Sequence, residues 1–129
     1  MTPKILGENY ADRIRARLGV KESHLSVEEI DEVLPEIEAQ FCELVPDWEE
    51  IISSDSDKKT FLQSAVVCKT ASVLCSLLKL KYPVKEQGAG GSFEVSVDWD
   101  ELMVKLESDS NRFLYKLIPL PVYPRFQVF

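Results

Sequence analysis

The longest helical candidate in the sequence, residues 58–81, is apolar around most of its circumference. A helix with this pattern belongs at the centre of a bundle, or between the core of one subunit and a neighbouring subunit. Pro83 ends the segment, because proline lacks the backbone N–H that a helix interior requires. The sequence therefore predicts a mainly α protein, a small helical bundle around one long central helix.

Two helical regions precede this segment. Asn9 is placed to cap a short helix that runs through Arg17, and we expect this helix to be peripheral. Ser26 and Glu29 have the spacing of a capping box and begin a longer amphipathic face, which Pro35 interrupts. Because proline is well tolerated in a first helical turn, this pattern favours two helices over one kinked helix.

A glycine-rich turn and a further helix are predicted after the central helix. Residues 88–92 form the turn, and alternation of apolar and polar residues then predicts a short half-exposed strand. Its apolar face carries Phe93, Val95 and Val97. A single strand is not stable, so it pairs in a hairpin with residues 84–87 or with another chain. Asp98 is placed to cap the last helix, which covers residues 99–117.

The C-terminal run, residues 118–129, combines proline with apolar side chains. Pro119, Pro121 and Pro124 exclude a helix and a central strand, which leaves an extended tail. Only Arg125 is charged, and this composition does not suit a solvated tail. The run either lies across its own core or docks on another protein as an extended peptide. Its terminal position and its prolines favour docking.

Composition limits the classes of function. The 129 residues, 45% of them hydrophobic, suit one domain. We divide the chain into an N-terminal extension with a short helix (1–25), a helical domain (26–117) and the tail (118–129). The net charge of −7 repels phosphate, which argues against a dedicated nucleic-acid binder. The sequence shows no signal or membrane-spanning pattern, so we expect a soluble, non-secreted protein, and its three cysteines suit a reducing compartment.

Charge is distributed along the chain in blocks. Residues 26–57 carry twelve acidic groups and no Lys or Arg, whereas residues 58–85 carry six lysines and no acid. Either neighbouring helices of one monomer pair these blocks, or acidic and basic faces meet head-to-tail between identical subunits, as a ring requires. The candidate residues for such a contact between subunits are Lys58, Lys59, Glu28, Glu29 and Glu32.

Motifs for catalysis and ligand binding are incomplete. His24 is the only histidine, which favours a surface or local capping role over a catalytic one. Cys68 and Cys75 share a face of the central helix without a further metal ligand, so we assign them to the core. Residues 55–66 lack the glycine and glutamate of a calcium loop, and the turn at 88–92 lacks the lysine and the following helix of a phosphate-binding loop. We therefore predict no enzyme and no catalytic, metal-binding or cofactor-binding residues.

The order of these elements resembles that of the head-tail connector proteins of tailed bacteriophages and prophages. The shared elements are an acidic helix pair, a long helix ending near a Tyr-Pro (61–83), a glycine-containing loop with a short strand (88–97) and a last helix (99–117). The resemblance covers residues 26–117. This chain lacks a clear Gly-Asp pair in the loop, and it adds an N-terminal extension and the proline-rich tail.

The resemblance implies a structural subunit of a phage neck ring. Proteins of that family form rings of twelve subunits beneath the portal, join it to tail or stopper components and let DNA pass through the lumen. The expected location is the neck of the virion, after synthesis in the host cytoplasm. The tail would contact the portal or another neck protein through Leu120, Val122, Tyr123, Arg125, Phe126, Val128 and Phe129. The loop would provide a second interface through Gly88, Gly90, Gly91, Phe93 and Val95.

A different class of function fits the same residues. The chain could be a cytoplasmic helical interaction module or regulatory subunit, whose acidic block at residues 28–57 engages a basic partner. A ring of about ten or more copies would distinguish the connector from this module.

Overall fold

The computed structural model describes residues 2–54, 56–82 and 97–118. This part of the chain contains six helices: α1 (Tyr10–Leu18), α2 (Val27–Asp31), α3 (Leu34–Leu44), α4 (Trp48–Ser53), α5 (Asp57–Lys81) and α6 (Trp99–Leu114). The predicted mainly α bundle around one long central helix is confirmed, and α5 is that helix. The described residues contain no strand. The predicted hairpin lies outside them except for Val97, which is not in a strand, and so does the tail after Ile118.

The ends of the helices follow from local sequence. Ser26 and Glu29 form the predicted capping box at the start of α2. Pro35 lies in the first turn of α3, so two helices form there as predicted. Asp98 caps α6, where its carboxylate accepts a hydrogen bond from the N–H of Glu101 at 3.1 Å. Asn9 precedes α1 as predicted, but its side chain makes no capping hydrogen bond and its φ is +64°.

Helices α5 and α6 pack as an antiparallel hairpin tied by hydrogen bonds along its length. The Ser110 hydroxyl donates to the carbonyl of Ala65 at 2.7 Å, and the Ser72 hydroxyl donates to the carbonyl of Met103 at 3.0 Å. At the connected end of the hairpin, the indole N–H of Trp99 donates to the carbonyl oxygen of residue 82 at 2.7 Å. These bonds fix the register of the two helices and hold residue 82 beside residue 99.

Helix α5 is surrounded by the other helices. It packs against α1, α3, α4 and α6, and its fully buried side chains include Leu62, Val66, Leu74 and Leu78. By length and composition alone it is also long and apolar enough to span a membrane, and 67% of the qualifying stretch is buried inside the bundle. Burial around most of its circumference explains why the sequence shows little polar face along this helix, although Val73 and Leu80 remain exposed.

The prediction that the first helix is peripheral is wrong. Ile14 and Leu18 of α1 are buried, and so are Ile5 and Leu6 before it, all within the same core as α5. The apolar spacing of α1 was visible in the sequence, but a short amphipathic helix does not reveal which element covers its apolar face. In the structure α5 covers it. Leu25, at the end of the predicted N-terminal extension, is also fully buried in this core.

A buried carboxylate holds the N-terminal segment in place. Glu38 of α3 is only 4% exposed and accepts hydrogen bonds from three consecutive backbone N–H groups, those of Lys4 (3.0 Å), Ile5 (2.8 Å) and Leu6 (3.2 Å). The side-chain amide of Gln63 on α5 donates to the carbonyl of Ile5 at 2.9 Å. The segment before α1 is therefore attached to both α3 and α5.

Candidate interaction surfaces

The charged residues predicted to join subunits have different surroundings. Glu28, Glu32 and Lys58 are exposed, and Lys59 is partly exposed. Among the described residues, none of these four forms an ion pair. Glu29 is different, because its carboxylate accepts from the N–H of Ser26 in the capping box at 2.9 Å and also binds the Lys81 ammonium. Glu29 thus has a role inside the monomer.

The later lysines of the basic block are paired within the monomer. Lys81 lies 3.0 Å from Glu29 of the acidic block. Two further ion pairs join α5 to α6, and they are Lys79 with Asp100 at 2.8 Å and Lys69 with Glu107 at 3.4 Å. The hydrogen bond from Lys79 to Asp100 raises the pKa of that lysine. Three of the six lysines of the basic block are therefore paired inside the monomer, two with carboxylates of α6 and one with a carboxylate of the acidic block.

The acidic block forms an exposed face on α2, α3, α4 and the turns between them. Seven of its carboxylates are exposed and form no ion pair among the described residues: Glu28, Glu32, Glu36, Glu43, Asp47, Glu49 and Glu50. None of these three helices has a basic residue in its last turn. This face therefore presents negative charge that the described part of the monomer does not neutralise.

A positively charged groove lies between α1 and α5. It has a volume of about 400 Å³, and Arg13 and Arg17 of α1 stand one helical turn apart along it. Ala16, Ser64 and Val67 complete its lining. A guanidinium N–H of Arg13 donates to the side-chain oxygen of Gln63 at 3.2 Å, which fixes the orientation of Arg13. Sequence reasoning missed this groove because it treated residues 1–25 as an extension, although the i, i+4 spacing of the two arginines was visible.

A second, shallower depression lies on the outer face of α6. Its volume is about 480 Å³, and Val104 (64% exposed) and Tyr115 (48% exposed) lie along it with Glu107, Ser108, Asn111 and Arg112. Charges of both signs line it, so it has no single electrostatic preference. The same helix carries buried Asp109, which is paired with Lys105 and Arg112.

The residues considered for chemistry have structural roles. Cys68 and Cys75 are buried, as predicted, and burial raises the pKa of the Cys75 thiol to about 11, which makes it a poor nucleophile near neutral pH. Nδ1 of His24 accepts a hydrogen bond from the N–H of Lys21 at 3.0 Å, and its ring packs edge-on against Tyr82. Among the described residues, no group of three or more His, Cys, Asp or Glu side chains could hold a metal ion.

The other predicted interface residues lie outside the described part of the chain. These are the tail residues Leu120, Val122, Tyr123, Arg125, Phe126, Val128 and Phe129, and the loop residues Gly88, Gly90, Gly91, Phe93 and Val95. Comparisons of the chain with protein families, with characterised proteins and with solved structures return no match. The exposed acidic face, the basic groove and the α6 depression are therefore the features from which function can be inferred.

Proposed function

We propose that this chain is a structural subunit of a phage neck ring, a head-tail connector that joins the portal to tail or stopper components. The observation that carries this proposal is the separation of surface charge between helices of one bundle. The acidic face lies on α2 to α4, and the basic groove lies between α1 and α5. Two unlike faces on one subunit are what a head-to-tail interface needs, and such an interface forms a ring when the rotation from copy to copy closes.

An acidic surface is also compatible with DNA passage. A connector surrounds DNA without holding it, and carboxylates near the lumen prevent the phosphate contacts that release counterions. The exposed carboxylates of α2 to α4 that lie outside the contact between subunits would provide such a lining. In this proposal the chain works by binding other proteins, and we assign it no catalytic residue, metal ion or cofactor.

The proline-rich tail provides the contact with the next component. Leu117 and Ile118 are partly buried against the core, so the described chain ends at the surface of the bundle, beyond α6. The eleven residues that follow, 119–129, include six apolar side chains besides the three prolines. Burial of such side chains on a partner contributes roughly 1.5–3 kcal/mol each when complete, which is enough to hold an extended peptide on the portal or on another neck protein.

The acidic face also supports a second candidate, a cytoplasmic interaction module or regulatory subunit. Seven exposed carboxylates without an ion pair in the described chain are a suitable surface for a basic partner. The two candidates differ in what the purified chain does alone. A module binds its partner as a monomer or small oligomer, whereas a ring subunit associates with many copies of itself.

Mass measurement of the full chain tests the proposal. We expect light scattering and native mass spectrometry to find about ten or more copies in one assembly, either with the chain alone or after addition of portal protein. Tagged chain should also be found in the necks of purified particles. A chain that stays monomeric under both conditions and is missing from particles would exclude the ring.

Salt dependence and charge reversal then test the charged contact predicted from the sequence. Exposed ion pairs are screened over roughly 8 Å at physiological ionic strength, so assembly should weaken as salt rises. If Lys58 and Lys59 meet Glu28 and Glu32 of the next subunit, changing both lysines to Glu lowers the oligomer fraction without unfolding the monomer. Lys21→Glu, at another exposed position, is the control for a general change in net charge.

A further inference from the structure

We propose that the groove between α1 and α5 binds the C-terminal end of α3 from a second copy of the chain. This inference rests on the proposed ring, and it names the surfaces that form the joint between neighbouring subunits. In this joint Leu44 of one subunit lies on the groove floor of the next, and Glu43 and Asp47 approach Arg13 and Arg17.

The groove has the chemistry to receive an acidic segment with an apolar centre. Ala16 and Val67 provide an apolar part of its lining, and the two arginines stand on either side of Ala16 along α1. Arg13 is already oriented by its hydrogen bond to Gln63. Arginine presents a planar fork of donors that matches a carboxylate, and it loses less freedom when that fork is already held.

The end of α3 has the complementary chemistry. Leu44, its last residue, is 48% exposed and gives this end of the helix an apolar centre among acidic residues. Glu43 before it and Asp47 after it are exposed and form no ion pair in the described chain. The last turn of α3 has no basic residue, so its free carbonyls and the negative end of its dipole add to the negative potential.

A second copy is the occupant that the charge distribution favours. In one monomer Leu44 is exposed, and so are Ala16 and Arg17 of the groove, so the end of α3 does not fill the groove of its own chain. One face of each kind on every subunit gives a contact that repeats from copy to copy, as a closed ring requires. DNA is a poorer fit, because phosphate gains nothing from an apolar floor and the net charge of −7 opposes its approach.

Charge exchange between two variants of the full chain tests the joint. Variant one carries Arg17→Glu with Arg13→Glu, and variant two carries Glu43→Arg with Asp47→Arg. We expect each alone to self-associate at least tenfold more weakly than wild type in sedimentation velocity. An equal mixture should recover the assembly, since every joint then has one acidic and one basic side. Circular dichroism melts confirm that each variant is folded.

Three single variants complete the test. Arg17→Glu alone leaves the bond between Arg13 and Gln63 intact, so a folding defect in the double variant does not prevent the measurement. Leu44→Ala should also weaken self-association, whereas Leu80→Ala, a matched change at an exposed leucine near the end of α5, should not.

The outcomes separate this joint from the ring itself. If variants one and two both assemble like wild type, the joint is overturned and the ring still stands. Loss of binding to a 30-base-pair duplex in variant one, with assembly unchanged, would assign the groove to DNA instead. A wild-type chain that does not self-associate, with or without portal protein, overturns both proposals.

Discussion

Removal of the Glu38 carboxylate should destabilise the whole domain. Three backbone N–H groups donate to this one side chain, at distances of 3.0, 2.8 and 3.2 Å. Hydrogen bonds to a charged group contribute roughly 1.5–3 kcal/mol each, but bonds that share one acceptor group are not additive. We therefore expect Glu38→Ala to lower the free energy of unfolding by about 3–5 kcal/mol, a large part of the roughly 5–15 kcal/mol of a typical domain.

The loss should extend beyond the hydrogen bonds themselves. Ile5 and Leu6, whose N–H groups donate to Glu38, are almost fully buried, and their side chains belong to the core that α5 shares. If the segment detaches, this apolar surface returns to water. Glu38→Gln keeps the shape of the side chain and one acceptor oxygen, but it places an NH₂ group against a backbone donor, so its effect should be about half as large.

Urea unfolding followed by circular dichroism measures these differences. Glu36→Ala is the matched control, since Glu36 lies two residues earlier in the same helix and is exposed. Its effect should stay within about 0.5 kcal/mol. Amide exchange at residues 4–6 should also become faster in Glu38→Ala. A Glu38→Ala protein as stable as the Glu36→Ala control would show that the carboxylate does not anchor the N-terminal segment.

Three further predictions address other parts of the chain. Thr70 is fully buried, and its hydroxyl has no hydrogen-bond partner among the described residues. Thr70→Val should therefore raise the free energy of unfolding by roughly 1 kcal/mol in the same urea assay, whereas a lower free energy of unfolding would show that the hydroxyl does have a partner. The Ser26 backbone N–H, aided by Lys81, lowers the pKa of Glu29, so the stability that the ionised Glu29 contributes is present above the ordinary carboxyl pKa and is lost as pH falls through the lowered one. Glu29→Gln should therefore make the free energy of unfolding depend less on pH at acidic pH. An unchanged pH dependence would show that ionised Glu29 does not stabilise the fold. Deletion of residues 119–129 should leave the melting temperature nearly unchanged while abolishing attachment to the neck, whereas a markedly lower melting temperature would place the tail in the core of its own domain.

Local signals in the sequence predicted much of the fold. The capping box at Ser26, the helix start at Pro35 and the cap at Asp98 all depend on residues within four positions of one another, and the structure has each of them. The central position of α5 could also be predicted, because a helix that is apolar around most of its circumference has to be covered by several neighbours. Such signals can be recognised without knowing which helices pack against one another.

The N-terminal segment shows what such patterns omit. Glu38 was one of twelve acids in its block, and nothing near it in sequence distinguishes it from an exposed glutamate. Its partners, residues 4–6, are more than thirty positions away. The groove depends on the same long-range packing, since Arg13 and Val67 come together only when α1 lies against α5. Contacts between distant segments decide both features, and a single sequence does not specify those contacts.

Ion pairing in the monomer also changes which positive charges are available to a partner. The distribution of charge along the sequence points to the lysines of residues 58–85 as the basic face. However, Lys69, Lys79 and Lys81 are already paired with carboxylates of their own chain. Exposed pairs of this kind contribute little stability, yet a paired lysine attracts a second carboxylate less than an isolated cation does. Arg13 and Arg17 form no ion pair in the described chain and line a groove with an apolar floor. If acidic and basic faces join the copies of a ring, α1 is therefore a better source of the basic face than the later part of the lysine block.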